Sequence, residues 1–285
     1  MPLRIHLSLL SVLLLNNCNN KKESVATVIN ETVIFETKLS KKIDETSGLE
    51  YFNEGLITHN DSGDDAKLYL FSQTGELLEE FVVNDAVNND WEDITADENY
   101  IFIADTGNNF GNRSNLNIIK VKTNDFTIDG KIDIAYKNQE TFIPRPKHKF
   151  DAEALFLIED KIAVLSKDRS NLFTDLYLID KESNSKQALE SKITYNVNSL
   201  ITGGDYNKDI RLLALVSYNS RGNQFLILFE DFNLENLAEK KFRKFKIPIE
   251  RAQIEAIKII DNNTFWITSE DEGIGSPYMY KIGVK

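Results

Sequence analysis

The residues of this chain that could do chemistry are mostly carboxylates, and they recur in phase. Glu45-Thr-Ser-Gly-Leu49, Trp91-Glu-Asp-Ile-Thr95, Asp151-Ala-Glu-Ala-Leu155, Thr202-Gly-Gly-Asp-Tyr206 and Gln253-Ile-Glu-Ala-Ile257 each set an acid among small and apolar residues. Each is followed by a second apolar run that ends in polar residues: Leu56 to Asp61, Ile101 to Thr106, Ala163 to Asp168, Ala214 to Asn219 and Phe265 to Glu270. Acids at equivalent positions of a repeat point the same way, so in a ring they converge. Oxygen-only ligands of this kind suit a hard cation, calcium or magnesium. The candidate metal ligands are Asp151, Glu153, Asp205 and Glu255, and the candidate binding residues are Glu45, Glu92, Asp93, Asp105, Asn108 and Arg113. His59 beside Asp61 offers an acid/base pair, and Lys167 could hold an anion or pair with the carboxylates, so these three are the catalytic candidates. A second reading stays open for the whole set. Small and acidic residues at the starts of repeated strands also turn the chain and hydrogen-bond neighbouring backbones.

The elements that must position these residues are short strands. The two runs above are followed by a third, including Lys67 to Phe71, Asn117 to Val121, Asp175 to Ile179, Phe225 to Phe229 and Tyr278 to Ile282, rich in Leu, Ile, Tyr and Phe as half-buried strands are. A fourth follows in four of the units: Glu76 to Val83, Lys131 to Asn138, Ser191 to Val197 and Lys241 to Ile247. Self-similarity at about 50 residues is the signature of a solenoid or propeller. The last unit lacks a fourth strand, while Thr32 to Leu39 is a surplus alternating strand at the other end. An all-β propeller of five four-stranded blades, with the N-terminal strand closing the last blade, uses every periodic segment and leaves the ring without an open edge. The long interval between the second and third units has room for an extra hairpin around Glu140 to Phe150, which makes six blades the alternative.

The formal net charge of -12 argues against a nucleic-acid partner, because phosphate binding needs a basic face. Zinc is a poor fit, since the chain has one cysteine and three histidines, of which His6 lies in the leader. Nucleophile-elbow, phosphate-loop, dinucleotide and His-Glu-x-x-His motifs are absent, and Asp61-Ser-Gly-Asp-Asp65 lacks the spacing of a calcium loop. Arg4 followed by the apolar run Leu7 to Leu15 has the length of a signal-peptide core and is too short to span a bilayer. The run stops just before Cys18, the single cysteine, which resembles a bacterial lipoprotein signal, although Asn16 and Asn17 stand where small residues are usual. The expected organisation is a signal peptide over 1–17, a lipidated Cys18 with a polar tether to residue 30, and a propeller over 31–285. The expected location is the bacterial cell envelope, periplasmic or surface-exposed, with the membrane engaged through the lipid and an unidentified protein or small molecule as further partner.

Glu45-Thr-Ser-Gly-Leu, His59-Asn-Asp-Ser-Gly, Trp91-Glu-Asp-Ile, Ala104-Asp-Thr-Gly-Asn-Asn with Arg113, and Asp151-Ala-Glu-Ala-Leu together resemble a family of exported bacterial β-propeller lipoproteins. That family is distantly similar to phytase-like and gluconolactonase-like propellers. The resemblance covers residues 44–170 well and the last two units loosely. It implies the fold, export and a metal in the channel, with phosphoester or lactone hydrolysis in the better-known relatives. The fourth unit departs most, offering Gly203-Gly204-Asp205. Two functional expectations follow: a membrane-anchored binding scaffold, and a cation-dependent hydrolase with its site at the channel mouth.

Overall fold

A computed structural model describes residues 32–183, 185–249, 252–271 and 275–285. The leader, Cys18 and the tether lie outside the described residues. The described residues begin with β1 (Thr32–Lys38) and continue into a first blade of β2 (Thr46–Phe52), β3 (Gly55–Asn60), β4 (Lys67–Phe71) and β5 (Leu77–Val82). The second blade holds β6 (Asp93–Ala96), β7 (Tyr100–Asp105), β8 (Asn117–Lys122) and β9 (Ile128–Tyr136). The third holds β10 (Ala152–Ile158), β11 (Lys161–Ser166) and β12 (Thr174–Asp180), then β13 (Gln187–Leu189) and β14 (Ile193–Tyr195). The fourth holds β15 (Leu200–Asn207), β16 (Leu212–Tyr218), β17 (Gln224–Phe229) and β18 (Arg243–Lys246), and the fifth β19 (Ile254–Asp261), β20 (Thr264–Ser269) and β21 (Tyr278–Gly283).

The sheets are five, and β1 pairs antiparallel with β21 as the outer strand of the last blade, Thr32 opposite Gly283. The five-bladed propeller with N-terminal closure is therefore the architecture, and six blades is set aside. No strand lies between Tyr136 and Ala152, where the extra hairpin had room to form; that interval is an extended loop. One feature departs from the expected four-strand pattern. β13 leaves the third blade and adds in parallel to β9, giving the second blade a fifth strand.

The apolar positions of each blade are buried between blades rather than inside one. Five buried clusters each straddle one neighbouring pair. Phe102, Ile118 and Ile134 meet Leu155, Val164 and Tyr177 between blades two and three, and Leu49, Leu56 and Phe71 meet Trp266 and Met279 between blades one and five. The other three clusters repeat the arrangement around the ring. Stability is thus distributed over nearest-neighbour interfaces, as in other repeat architectures. Hydroxyls stitch the inner strands across the same interfaces: Ser47 Oγ donates to Glu92 O, Thr106 Oγ1 to Ala152 O, and Thr202 Oγ1 to Ile254 O.

A candidate cation centre at the channel mouth

The five inner strands β2, β6, β10, β15 and β19 line the axis, and their first residues sit at one mouth. A repeated hydrogen bond fixes their phase. Asp61 N donates to Glu45 O, Gly107 N to Asp90 O, Lys167 N to Asp151 O and Glu270 N to Gln253 O. Glu45, Asp90, Asp151 and Gln253 therefore share one position, and two residues further on come Ser47, Glu92, Glu153 and Glu255. The inner strands of blades one, three, four and five are each bulged just here, with register shifts between Ser47 and Glu50, Ala152 and Ala154, Ile201 and Gly203, and Ile254 and Ala256. A bulge re-aims a side chain against the strand alternation. This is how Glu153 and Glu255 come to be buried at the axis in strands that are otherwise apolar.

Two groups of three carboxylates result. Ligand atoms of Asp61, Asp90 and Glu92 lie within 4.8 Å of one another, and so do those of Glu92, Asp151 and Glu153, so that Glu92 belongs to both. Gly107 makes the approach possible, because a Cβ there would collide with the carboxylates of Glu92 and Asp90. The two groups are not equally compensated. Asp151 accepts from Arg169 Nε at 3.0 Å and from Asn108 N at 2.7 Å, and Glu153 accepts from Lys167 Nζ at 2.5 Å with Arg169 at 3.4 Å. Burial alone would strip the proton from Lys167, but Glu153 and Glu255 face it and hold it protonated, while its ammonium also lies 5.3 Å from the Tyr218 ring. In the other group, Asp90 has one cation, Arg113, at 3.9 Å, and a hydrogen bond from the Ser62 side chain. The Glu92 carboxylate has no hydrogen-bond or ion-pair partner among the described residues, although its backbone is bonded to Ala104 O and Ser47 Oγ. Its carboxyl is driven far above the usual range by burial and by Glu153, Asp61, Asp151 and Asp90. Burial, with Asp90 adding, pushes Asp61 up to about 7, and burial against the pull of Arg113 pushes Asp90 up to about 6. Glu255 also carries a buried carboxylate oxygen, Oε1, without a hydrogen-bond partner.

The remaining sequence candidates occupy other places. Glu45 stands exposed at the rim. His59 is fully buried between blades one and two, edge-on to Trp91, with Nδ1 bonded to Asn60 O. Burial lowers its pKa to about 4, so the ring is neutral at physiological pH. Asp93 accepts from the backbone amides of Ile94, Leu155 and Gly204 and so braces three blades. Asp105 is held by Asn89, Arg113 and Asn117, and Asn108 accepts from Arg113 N while donating to Phe150 O. Asp205 is placed away from Asp151, Glu153 and Glu255. It lies further along the channel, where Lys258 bridges it to Glu50. Sequence reading overlooked Asp90 and Arg169. The signal for Asp90 was present: Asp90-Trp-Glu92 has the spacing of Asp151-Ala-Glu153.

No family model matches the chain, and no curated protein matches it. Solved structures do. An exo-β-1,3-galactanase from Clostridium thermocellum, 1,3Gal43A, is similar with a TM-score of 0.56 at 12% identity, over 88% of this chain and 61% of that one. A chain of the mitotic checkpoint complex matches with a TM-score of 0.48 at 9% identity, over 98% and 99% of the two chains. The WD40 β-propeller domain of Doa1 gives 0.41 at 13% identity, over 83% and 63%. This chain thus spans less than two thirds of the Doa1 and galactanase chains. At such identities the likeness concerns the fold alone.

Proposed function

We propose that the protein is a binding scaffold of the bacterial cell envelope whose channel mouth takes a hard divalent cation, calcium or magnesium, as part of its ligand site. Glu92 carries this reading. It is a buried carboxylate with no hydrogen-bond or ion-pair partner among the described residues, shared between two carboxylate groups, in a cluster where acids outnumber cations. An uncompensated buried charge costs several kcal/mol, so the carboxyl must hold a proton or meet a cation. Carboxylate oxygens within 4.8 Å of one another can share one ion at calcium-like distances of about 2.3–2.6 Å. The group of Asp61, Asp90 and Glu92 is the better seat, because Lys167 and Arg169 already serve Asp151 and Glu153. Elemental analysis of purified protein, with and without chelator, tests this. A metal-free protein whose melting temperature ignores both ions would refute it.

Export and anchoring belong to the same proposal and rest on the leader and Cys18. Intact-mass analysis should find residues 1–17 removed and Cys18 lipidated, and Cys18→Ser should release the protein into the soluble fraction. A second reading, cation-dependent hydrolysis of a phosphoester or lactone, is favoured by Asp61 in particular. A carboxyl pushed up to about 7 beside a cation seat is suited to general base work near neutral pH. Metal-dependent turnover of 4-nitrophenyl phosphate or a lactone, lost in Asp61→Asn with cation binding retained, would select it over the scaffold.

A further inference from the structure

We infer that the mouth takes an amphipathic ligand: a compact anionic head at the cation seat, and an apolar, ring-bearing body laid on a bank centred on Phe110. The inference rests on the cation reading above and adds the ligand's chemical class. The mouth is asymmetric. Three loops on the side of blade two, spanning 83–92, 106–116 and 137–151, carry Val87, Phe110, Phe142 and Ile143, exposed by 62%, 58%, 44% and 72%. Across the axis the blade-four loop Asn219-Ser-Arg-Gly222 is polar. The same three loops build the acidic cluster. Asn88 donates to Asp61 O, Asn89 to Asp105, and Asn109 accepts from Arg169, whose guanidinium holds Asp151 and Glu153.

Phe110 is exposed although its backbone is fixed. Arg145 N donates to Phe110 O at 2.8 Å, His148 Nε2 meets Asn109 O at 3.1 Å, Gln139 Nε2 donates to Gly111 O at 2.9 Å, and Gly111 N returns to Asn108 O at 2.7 Å. Gly111 has φ +64° and packs against the His148 ring, which sets the turn that lifts Phe110 outward. A loop with every neighbouring carbonyl engaged loses little entropy on binding. Holding a bare aromatic ring on such a loop, one residue from Asn109, whose side chain bonds the guanidinium that holds Asp151 and Glu153, is what a recognition platform requires. A ligand that spans both must present charge or oxygen to the cation and apolar surface to the ring.

Titration calorimetry in calcium with 2-naphthyl phosphate, inorganic phosphate and 2-naphthol tests the inference. The naphthyl ester should bind about tenfold or more tighter than inorganic phosphate, the increment expected from burying one aromatic face. Phe110→Ala should bring that ratio close to one, leaving the affinity for inorganic phosphate and the calcium shift in melting temperature unchanged, and Phe110→Tyr should restore most of the ratio. A ratio untouched by Phe110→Ala, with the calcium shift intact, overturns the apolar bank alone. Binding of 2-naphthol as tight as that of its phosphate overturns the coupling of head and body. Absence of the calcium shift in the unaltered protein overturns the cation reading and this inference together.

Discussion

Two buried charge clusters lie along the same inner strands, and they are built on opposite plans. In the lower one, Lys258 Nζ contacts Glu50 Oε1 at 2.5 Å and Asp205 Oδ1 at 2.9 Å, Asp205 Oδ2 accepts from Ile259 N, and Glu50 accepts from Tyr51 N. Each charge there has a partner, and the three residues come from blades one, four and five. At the mouth the partners run out: among the described residues the Glu92 carboxylate has neither a hydrogen bond nor an ion pair, and Glu255 Oε1 is left unbonded. The same residue types, equally buried, thus make a cross-blade staple in one place and a cluster with an excess of acids in the other. Burial of acids does not mark a site; burial without compensation does.

Removing β1 should have the largest effect on this pair of clusters, because both depend on the ring. A protein lacking residues 31–40 should lose cooperative thermal unfolding, and a truncated chain that melts at the full-length temperature would show that closure is dispensable. Lys258→Ala should come next. It leaves Glu50 and Asp205 buried with backbone hydrogen bonds and no counter-charge, and denaturant titration should register a loss of about 3–5 kcal/mol. Glu92→Gln should behave in the opposite way. Without divalent ions it should be as stable as the unaltered protein or more so, because an uncompensated carboxylate is gone. It should also forfeit the gain from calcium, which for the unaltered protein is about 2.7 kcal/mol at a hundredfold excess over the dissociation constant. Equal destabilisation by Glu92→Gln and Lys258→Ala would erase the distinction between the clusters.

The smallest effect is one of pH. Asp61 and Asp90 rise in the folded protein from an ordinary 3.8 to about 7 and about 6. The folded state therefore holds protons that the unfolded state releases, and the stability they contribute is lost as pH climbs from near 4 to near 7. A cation offsets that loss, so the calcium-induced rise in melting temperature should be greater at pH 8 than at pH 5. His59 has the other sign: lowered from 6.5 to about 4, it withdraws stability as pH falls through that range. It lies away from the carboxylate groups, so the difference between curves with and without calcium isolates the mouth. A calcium shift that is flat with pH would mean that these carboxyls do not release protons to the ion.

The blade count and the closure by Thr32–Lys38 were legible in the sequence, because a repeat states its period and an unmatched strand at each end has one economical resolution. Local pattern was less informative about phase. The bulges at Ala152–Ala154 and Ile254–Ala256 insert a residue whose direction alternation cannot forecast, and in the fourth blade the bulge falls at Ile201–Gly203, which leaves Asp205 well past the mouth. Asp90 was hidden by reading Trp91 as the start of the unit. The burial of His59 depends on Trp91 from the adjacent blade, a contact that no single segment contains. Strand β13 was illegible for the same reason: three residues with strand character do not state which sheet they will join.

The pairing of Thr32 with Gly283 also sets a timetable. Thr32–Lys38 leaves the ribosome long before its partner β21 and is among the last of the described strands to find its place. Until then the fifth blade presents an unpaired edge and the ring has no fixed circumference. Contacts this distant in sequence slow folding and prolong exposure of such edges. A ring that closes only when β21 is made leaves Thr32–Lys38 free for a holding chaperone through most of synthesis.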